Sequence, residues 1–318
     1  MINMCTAILY KSNHTYFGRN LDLHRGYGEQ VVITPRNFRL AMRQANPLLQ
    51  HYAMIGMATV MDDYPLYYEA TNEKGLSMAG LNFPGNAVYG KEIPGKDNVA
   101  PFELTPWVLG QCATLEDAKK LLVNCNLLNL NFNEELPVTP LHWLIADKTG
   151  SIAVESVGSG LQVYDDPFDV LTNNPPFEYH RMHINDYMAL HSGPLESKFR
   201  EAVPLYNYSL GMGALGLPGD FSSASRFVKA FFVKENSVSH RTEEESVNQF
   251  FHILQSVAMP KGCVWTENGF EYTRYSSCCN AETGVYYYTV YEDFSVRSVD
   301  MHSVDLDQTE LTAYKMGC

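Results

Sequence analysis

The 318-residue sequence lacks several features that would assign it to a large class of proteins. No apolar stretch reaches the roughly 18 residues needed to cross a bilayer, so no membrane insertion is expected. The N-terminus lacks the basic start and long apolar core of a secretory signal. No repeat with a period of about 20–50 residues appears, which argues against a solenoid. These absences predict a soluble, cytoplasmic protein.

Metal, disulfide and nucleic-acid signatures are also missing. The seven cysteines form no CxxC pair, so we expect most of them to be reduced. The ten histidines form no HExxH spacing, and His180 and His183 have no visible partner ligands, so we expect them to be structural or exposed. The net charge of −13, with no basic run, argues against nucleic acid as a partner.

Alternating patterns predict strands joined as hairpins, with helices between the groups of strands. Hairpins outnumber strand–helix–strand crossovers, which favours an α+β fold of antiparallel sheets covered by helices. A four-layer helix–sheet–sheet–helix sandwich fits this order. The predicted hairpins pair 6–10 with 15–19, 141–146 with 151–155, and 285–291 with 294–299. The predicted helices cover 114–122, 225–233 and 243–257, with Ser225 expected as the cap of the second.

The residue that draws most attention is Cys5, directly after Met4. If the residues before it are removed, Cys5 carries both a thiol and a free α-amine, which pairs a nucleophile with its own base. Reference pKa values of about 8.5 and about 7.7–8.0 let both groups change protonation near neutral pH. Met4 is either the initiator, which can be removed because Cys5 is small, or the end of a short leader. Because Ile2 is a poor neighbour for removal of Met1, a chain begun at Met1 would have to lose four residues, and self-cleavage is one route. The alternative is an ordinary strand cysteine.

Arg19 and Asp22 follow in the predicted second strand, among apolar neighbours that indicate burial. The hairpin would bring both close to Cys5. A buried arginine near a thiol favours the thiolate, and a buried carboxylate could orient an α-ammonium. The alternative is a surface ion pair that contributes little to stability.

Two asparagines and a third charged residue complete the candidate set. Asn82 and Asn173 each end a predicted strand, where they are either turn residues or donors to an oxyanion. Arg226 lies at the predicted start of a helix, where the helix dipole disfavours a cation. That placement indicates either a partner charge or a functional role for Arg226.

Taken together, these segments resemble the choloylglycine hydrolase family, which comprises bile salt hydrolases and penicillin V acylases. Each motif is weak by itself, but the set in this order is specific and covers nearly the whole chain. The motifs that carry the resemblance are Met4-Cys5-Thr6, Gly18-Arg19-Asn20-Leu21-Asp22, Asp62-Asp63-Tyr64-Pro65, Asn72-Glu73-Lys74-Gly75-Leu76, Gly80-Leu81-Asn82-Phe83-Pro84, Leu141-His142-Trp143, Leu171-Thr172-Asn173, Gly216-Leu217-Pro218-Gly219-Asp220-Phe221 and Ala224-Ser225-Arg226-Phe227.

The resemblance implies an N-terminal nucleophile hydrolase with an αββα sandwich of antiparallel sheets. It implies that Cys5 is the nucleophile, that Asn82 stabilises the oxyanion through its backbone N–H, and that Asn173 does so through its side chain. The remaining catalytic positions implied are Arg19, Asp22 and Arg226. It further implies removal of residues 1–4, a single domain over 5–318, no metal or cofactor, and a homotetramer.

The implied substrate is a glycine- or taurine-conjugated bile salt, whose amide bond the enzyme would hydrolyse. Penicillin V acylases tend to carry tyrosine where this chain has Asn82, so the resemblance is closest to bile salt hydrolases. The implied substrate-binding positions, all apolar or aromatic, are Leu21, Tyr27, Met61, Tyr68, Phe132 and Leu136. Before the position of Gly211, some family members carry Ser-Arg and others a Gly-containing pair. This chain has Ser209-Leu210, which matches neither, so the choice between glycine and taurine stays open.

Two other functions remain compatible with the same residues. A penicillin V acylase or an acyl-homoserine-lactone acylase could use the same scaffold. A non-catalytic bile-acid binding protein would keep the pocket but leave Cys5 inside the chain.

Overall fold

Two antiparallel sheets pack face to face in the computed structural model, which describes residues 4–198, 202–238 and 241–316. The first sheet places the N-terminal strand between two others. With strands numbered in chain order, it contains β12 (Val170–Leu171), β1 (Met4–Lys11), β2 (Thr15–Leu23), β14 (Gly269–Asn280), β15 (Val285–Val290) and β16 (Asp293–Asp300), with β13 (Val264–Thr266) paired to β14.

The second sheet begins with the predicted 141–155 hairpin at one side. Its order is β11 (Gly160–Asp166), β10 (Gly150–Val157), β9 (Leu141–Asp147), β6 (Ser77–Asn82), β5 (Tyr64–Asn72), β4 (Met54–Met61), β3 (Gln30–Thr34) and β17 (Thr312–Lys315). A separate parallel pair joins β7 (Asp97–Val99) and β8 (Cys125–Leu127). The three predicted hairpins are confirmed.

Helices cover the outer face of each sheet. The α-helices are α1 (Leu104–Gln111), α2 (Leu115–Leu122), α3 (Phe177–His183), α4 (Ser223–Glu235) and α5 (Glu243–Gln255), and short 3-10 helices cover Ile184–Tyr187, Met212–Ala214 and Met301–Ser303. Helices α4 and α5 pack on the first sheet, and α1 and α2 pack on the second. The predicted αββα layering is therefore confirmed.

Local sequence explains where these helices begin. Thr114 caps α2 through a capping box with Asp117, as its spacing predicts. The expected cap of α4 at Ser225 is wrong: Ser222 occupies that position, and its side chain accepts a hydrogen bond from the Ser225 N–H. The helix begins one turn earlier because Ser222 has the extended backbone of an N-cap, so Arg226 lies within the helix rather than at its first residue.

The hairpin of β1 and β2 fixes the positions of the N-terminal candidates. Its register pairs Met4 with Asp22, Cys5 with Leu21, and Ala7 with Arg19. In the middle of β2, Gly18 faces β14 so closely that a Cβ there would lie 2.0 Å from the Ser277 carbonyl oxygen. Only glycine allows β2 to lie at this distance from β14.

Candidate active site

The cysteine at the start of β1 is at the centre of a buried polar cluster. Cys5 is 2% exposed, and its backbone N–H donates a 2.7 Å hydrogen bond to Oδ1 of Asn173. Arg19, Asp22 and Arg226 are all at most 1% exposed. The sequence predicted burial of the Arg19–Asp22 pair, and the structure confirms it.

The cluster approaches Cys5 from both faces of the first sheet. Arg19 faces the second sheet, because its Nη1 donates to the carbonyl oxygens of Tyr68 at 3.0 Å and Gly80 at 2.5 Å. The register and the alternation of side chains place Cys5 on the same face. Asp22 is next to Leu21, the residue that pairs with Cys5, so its side chain points to the opposite face of the sheet, which the helices cover. A main-chain nitrogen in the plane of the sheet is accessible to groups on either face.

Asn173 connects most of the cluster. Its Oδ1 accepts from the Cys5 N–H and, at 2.8 Å, from Nη2 of Arg226, and its Nδ2 donates at 2.8 Å to the Asn82 carbonyl oxygen. The Nδ2 group has a second hydrogen, which leaves donor capacity for a substrate oxygen. The structure therefore brings Asn82 and Asn173 together beside Cys5, as the sequence predicted.

Arg226 reaches the nucleophile from α4. Its Nη1 donates to the Cys5 carbonyl oxygen and, at 2.6 Å, to Oγ1 of Thr6. Asp22 supplies the partner charge that the unfavourable position of Arg226 near a helix N-terminus predicted. Cys5 and Thr6 are therefore each held by a residue more than 150 positions away in the chain.

Burial affects the pKa of the Cys5 thiol more strongly than the two arginines do. In the chain with Met4 attached, burial raises the pKa of Cys5 above its usual value, although Arg19 and Arg226 act in the opposite direction. The two arginines do lower the pKa of the Cys5 thiol, as expected. Desolvation of the thiolate raises this pKa by more, so the net effect favours the neutral thiol.

Asp22 has an incompletely satisfied carboxylate. Thr273 donates a 2.6 Å hydrogen bond to Oδ1, whereas Oδ2 is buried and has no hydrogen-bond partner in the described part of the chain. Burial raises the pKa of Asp22 to about 6, although Arg226 and Arg19 lower it. An acceptor of this kind fits the α-ammonium that Cys5 would carry after removal of Met4.

Several supporting residues were not identified from the sequence. Glu69 lies 3.8 Å from Arg19 and accepts hydrogen bonds from Tyr275 at 2.8 Å and Tyr286 at 2.5 Å. Thr273 supports Asp22, as described above. No local pattern marks these residues, because each meets its partner only through the tertiary fold.

Two buried histidines hold the strand end that carries Asn173. Nε2 of His180 donates to the Asn173 carbonyl oxygen at 3.0 Å, and Nε2 of His142 donates to that of Thr172 at 2.8 Å. Burial lowers the pKa of His180 to about 4, so its ring is neutral at pH 7. His180 therefore has the structural role expected for it.

The six predicted substrate-binding residues form two groups. Leu21 pairs with Cys5, and Tyr27 and Tyr68 meet at Oγ1 of Thr59, which lies 3.2 Å from the Tyr27 carbonyl oxygen and 3.0 Å from the Tyr68 hydroxyl. The other three belong to the apolar cluster under α1 and α2: Met61, Phe132 and Leu136. Two surface cavities of about 620 and 740 Å³ are lined by other residues.

No group of three or more His, Cys, Asp or Glu side chains that could hold a metal ion occurs among the residues described. None of the helices in the described ranges has both the length and the apolar character required to cross a bilayer. All six cysteines in those ranges are free thiols.

Comparison with known proteins supports the resemblance over the full length. Residues 5–314 match the family described as linear amide C-N hydrolases, choloylglycine hydrolase family. The chain is 52% identical over 314 residues to a bile salt hydrolase/transferase of Lactiplantibacillus plantarum, with 98% of this chain and 97% of that protein covered. It is 38% identical to a bile salt hydrolase/transferase of Clostridium perfringens, with 98% and 97% covered.

Solved structures share the fold. A variant of the conjugated bile acid hydrolase from Clostridium perfringens matches with a TM-score of 0.90 and 37% identity, covering 98% of this chain and 97% of the other. Penicillin V acylase from Agrobacterium tumefaciens matches with a TM-score of 0.78 at 18% identity, covering 98% and 92%, which is a likeness of fold alone. The predicted N-terminal nucleophile fold is thus confirmed, and the chain belongs to the choloylglycine hydrolase family of linear amide C–N hydrolases.

Proposed function

We propose that this protein is a bile salt hydrolase, which uses the Cys5 thiol to cleave the amide bond of glycine- or taurine-conjugated bile salts. The observation that carries the proposal is the buried cluster around Cys5, in which Asn173 contacts the Cys5 nitrogen, Arg226 and the Asn82 carbonyl oxygen. Relatives at 38–52% identity over nearly the whole chain are named bile salt hydrolases, which supports the substrate class.

The proposal requires that residues 1–4 be removed, so that 5–318 form the mature chain. The nitrogen of Cys5 then becomes an α-amine. Asn173 already accepts a hydrogen bond from this nitrogen. The vacant Oδ2 of Asp22 offers a negative charge at the same end of β1. A buried ammonium needs such a charge to offset its desolvation.

Hydrolysis would proceed in two steps. The α-amine of Cys5 takes the thiol proton, and the sulfur attacks the amide carbonyl carbon of the substrate. Asn173 and the backbone N–H of Asn82 stabilise the oxyanion. The C–N bond then breaks, and glycine or taurine leaves with the proton from the α-ammonium. Water hydrolyses the thioester, which releases the free bile acid and restores the thiol. The reaction as written uses only protein groups and water.

The apolar residues beside the cluster suit a steroid. Leu21 pairs with Cys5, and Tyr27 and Tyr68 pack against the same buried core, whereas Met61, Phe132 and Leu136 belong to the separate apolar cluster under α1 and α2. Penicillin V and acyl-homoserine lactones carry smaller acyl groups. Parallel rates on glycocholate, taurocholate, penicillin V and an acyl-homoserine lactone would rank these substrates, and a preference for penicillin V would contradict the bile-salt assignment.

Transfer is a second candidate activity. The relatives from Lactiplantibacillus plantarum and Clostridium perfringens are named hydrolase/transferase. A thioester on Cys5 that an amine attacks in place of water would yield a new bile-acid amide. Incubation of the enzyme with a conjugated bile salt and a different amino acid, followed by mass spectrometry of the products, tests this activity.

A homotetramer in the cytoplasm is the proposed state. Large apolar side chains are exposed between α3 and α4, among them Met188 at 82%, Tyr206 at 81% and Leu210 fully exposed. Contact between subunits would remove such side chains from water. Light scattering of the purified protein measures the oligomeric state directly.

The assignment of the nucleophile is tested by two cysteine variants. Cys5→Ala should abolish turnover, whereas Cys263→Ala should not, because Cys263 is an exposed free thiol. Intact-mass measurement of the wild type should give a chain that begins at Cys5. An active wild-type enzyme that retains residues 1–4, or an active Cys5→Ala variant, would contradict the mechanism. A retained leader together with bile-acid binding and no turnover would instead support the non-catalytic alternative.

A further inference from the structure

The imidazole of His142 lies between the two chain segments that carry the proposed oxyanion donors. Its Nε2 donates at 2.8 Å to the carbonyl oxygen of Thr172, the residue before Asn173. Its ring stacks on that of Phe83, the residue after Asn82, with the ring centroids 4.3 Å apart and the ring planes at 5° to each other. One buried side chain therefore contacts the chain neighbour of each donor.

A buried carboxylate holds His142 from the adjacent strand. The register pairs Glu155 of β10 with His142 of β9, so the two side chains share a face of the sheet. Oε1 of Glu155 lies 3.1 Å from Nδ1 of His142 and accepts a 2.9 Å hydrogen bond from the Phe177 N–H. Both side chains are completely buried. The ring of His142 is thus fixed at both nitrogens and on one face, and Glu155 sets the orientation in which Nε2 donates.

The second buried histidine of this region has different ring contacts. Nε2 of His180 donates to the Asn173 carbonyl oxygen at 3.0 Å, and its ring stacks on Phe227 of α4 with the centroids 4.8 Å apart. His180 therefore connects the Asn173 segment to α4, whereas His142 connects it to the Asn82 segment. The two segments also meet directly, because Nδ2 of Asn173 donates to the Asn82 carbonyl oxygen at 2.8 Å.

We propose that His142, oriented by Glu155, is a positioning residue for the oxyanion hole: it sets the placement of Asn82 and Asn173 relative to each other. The inference rests on the proposed function, because an oxyanion forms only if the Cys5 sulfur attacks a carbonyl carbon. His142 touches no reacting atom and acts through Thr172 and Phe83. Donors stabilise an oxyanion only when they are already in place, and a displacement of about 1 Å can cost a large part of the rate.

The first test compares kcat and KM for glycocholate, with enzyme whose N-terminus at Cys5 has been verified by mass. His142→Phe keeps a ring that can stack on Phe83 but cannot donate to Thr172. Its kcat should fall at least about tenfold, and its KM should change less than about threefold, because ground-state contacts to the steroid remain. His142→Gln keeps a donor at the end of the side chain and should lose less of kcat.

The matched control is a buried histidine outside the cluster around Cys5. The ring nitrogens of His51, which is 6% exposed, each lie 2.8 Å from a carbonyl oxygen, that of Tyr52 or that of Phe38. His51→Phe should lower the midpoint of unfolding in urea and leave kcat unchanged. A His142→Phe enzyme with the kcat of His51→Phe, or with a raised KM alone, would overturn the proposal. If His142→Phe does not fold, kcat of His142→Gln must still lie below that of His51→Gln.

A second test asks whether His142 acts through the oxyanion donors. In the Asn173→Asp background one of the donors that His142 positions is already lost, so His142→Phe should reduce kcat by a smaller factor than it does in the wild type. Equal factors in the two backgrounds would overturn the proposal, because a general weakening of the fold acts independently of the donor. The absence of glycocholate hydrolysis by the unsubstituted enzyme would instead refute the proposed function.

Discussion

Replacing Asn173 with aspartate should remove the oxyanion donor while retaining most of the local structure. The two side chains have the same shape. Aspartate keeps the oxygen that accepts from the Cys5 nitrogen and from Arg226, but it replaces the Nδ2 donor with a second acceptor. Arg226, whose Nη2 lies 2.8 Å from this position, would hold the new carboxylate in its charged form.

The expected fall in kcat follows from the loss of one oxyanion donor. Removal of one oxyanion donor costs about 2.7–4 kcal/mol of transition-state stabilisation, so kcat for Asn173→Asp should fall about 10²–10³-fold. KM should change far less, because the negative oxygen exists only in the transition state and the intermediate. The Asn82 carbonyl oxygen also loses its 2.8 Å donor, which should lower the free energy of unfolding by about 1–3 kcal/mol.

The assay measures glycine release from glycocholate by enzyme whose mature N-terminus has been verified by mass. Asn174→Asp is the matched control, because Nδ2 of Asn174 donates to the Pro84 carbonyl oxygen at 2.6 Å rather than to the cluster around Cys5. Its kcat should stay close to that of the wild type. A fully matured Asn173→Asp enzyme with kcat within tenfold of Asn174→Asp would refute the assignment of Asn173 as an oxyanion donor.

Three further predictions concern pH and stability. Protonation of Asp22, whose pKa burial raises to about 6 and a neighbouring α-ammonium lowers from there, removes the charge that holds the ammonium. The profile of kcat/KM should therefore show, besides protonation of the α-amine, a second proton uptake at or below pH 6, and a profile that follows one protonation throughout the acid range would contradict this. Tyr275→Phe should lower the free energy of unfolding in urea by about 1–3 kcal/mol, because the buried Glu69 carboxylate loses a 2.8 Å donor; an unchanged midpoint would show that Glu69 does not depend on it. Gly18→Ala should yield little folded protein, because its Cβ would lie 2.0 Å from the Ser277 carbonyl oxygen. Recovery of folded protein at the wild-type yield would mean that β2 and β14 can separate at low cost.

The elements that could be predicted from the sequence are those formed by neighbours in the chain. The hairpin of β1 and β2 and the one of β9 and β10 each consist of two alternating segments around a short turn, so their register follows from local pattern. The capping box at Thr114 is similarly local. The cap of α4 was predicted wrongly because Ser222, Ser223 and Ser225 offer caps of nearly equal propensity.

The electrostatic state of the site could not be predicted in the same way. Residue type and order identified Cys5, Arg19 and Arg226 as neighbours, but the balance between arginine charge and desolvation depends on how deeply the thiol is buried. The burial of the thiol results from the packing of sheets and helices, so no local sequence pattern predicts it.

The sequence by itself determined the family, the αββα order of elements and the identity of the polar residues around Cys5. Motifs and the alternation of apolar and polar residues depend only on the order of residues in the chain. Only the tertiary structure decided that Asn173 holds the Cys5 nitrogen and that Thr273 supports Asp22. These contacts join residues more than 150 positions apart. Their existence depends on the register of β14 and the packing of α4 on β1, which no segment of the sequence specifies alone.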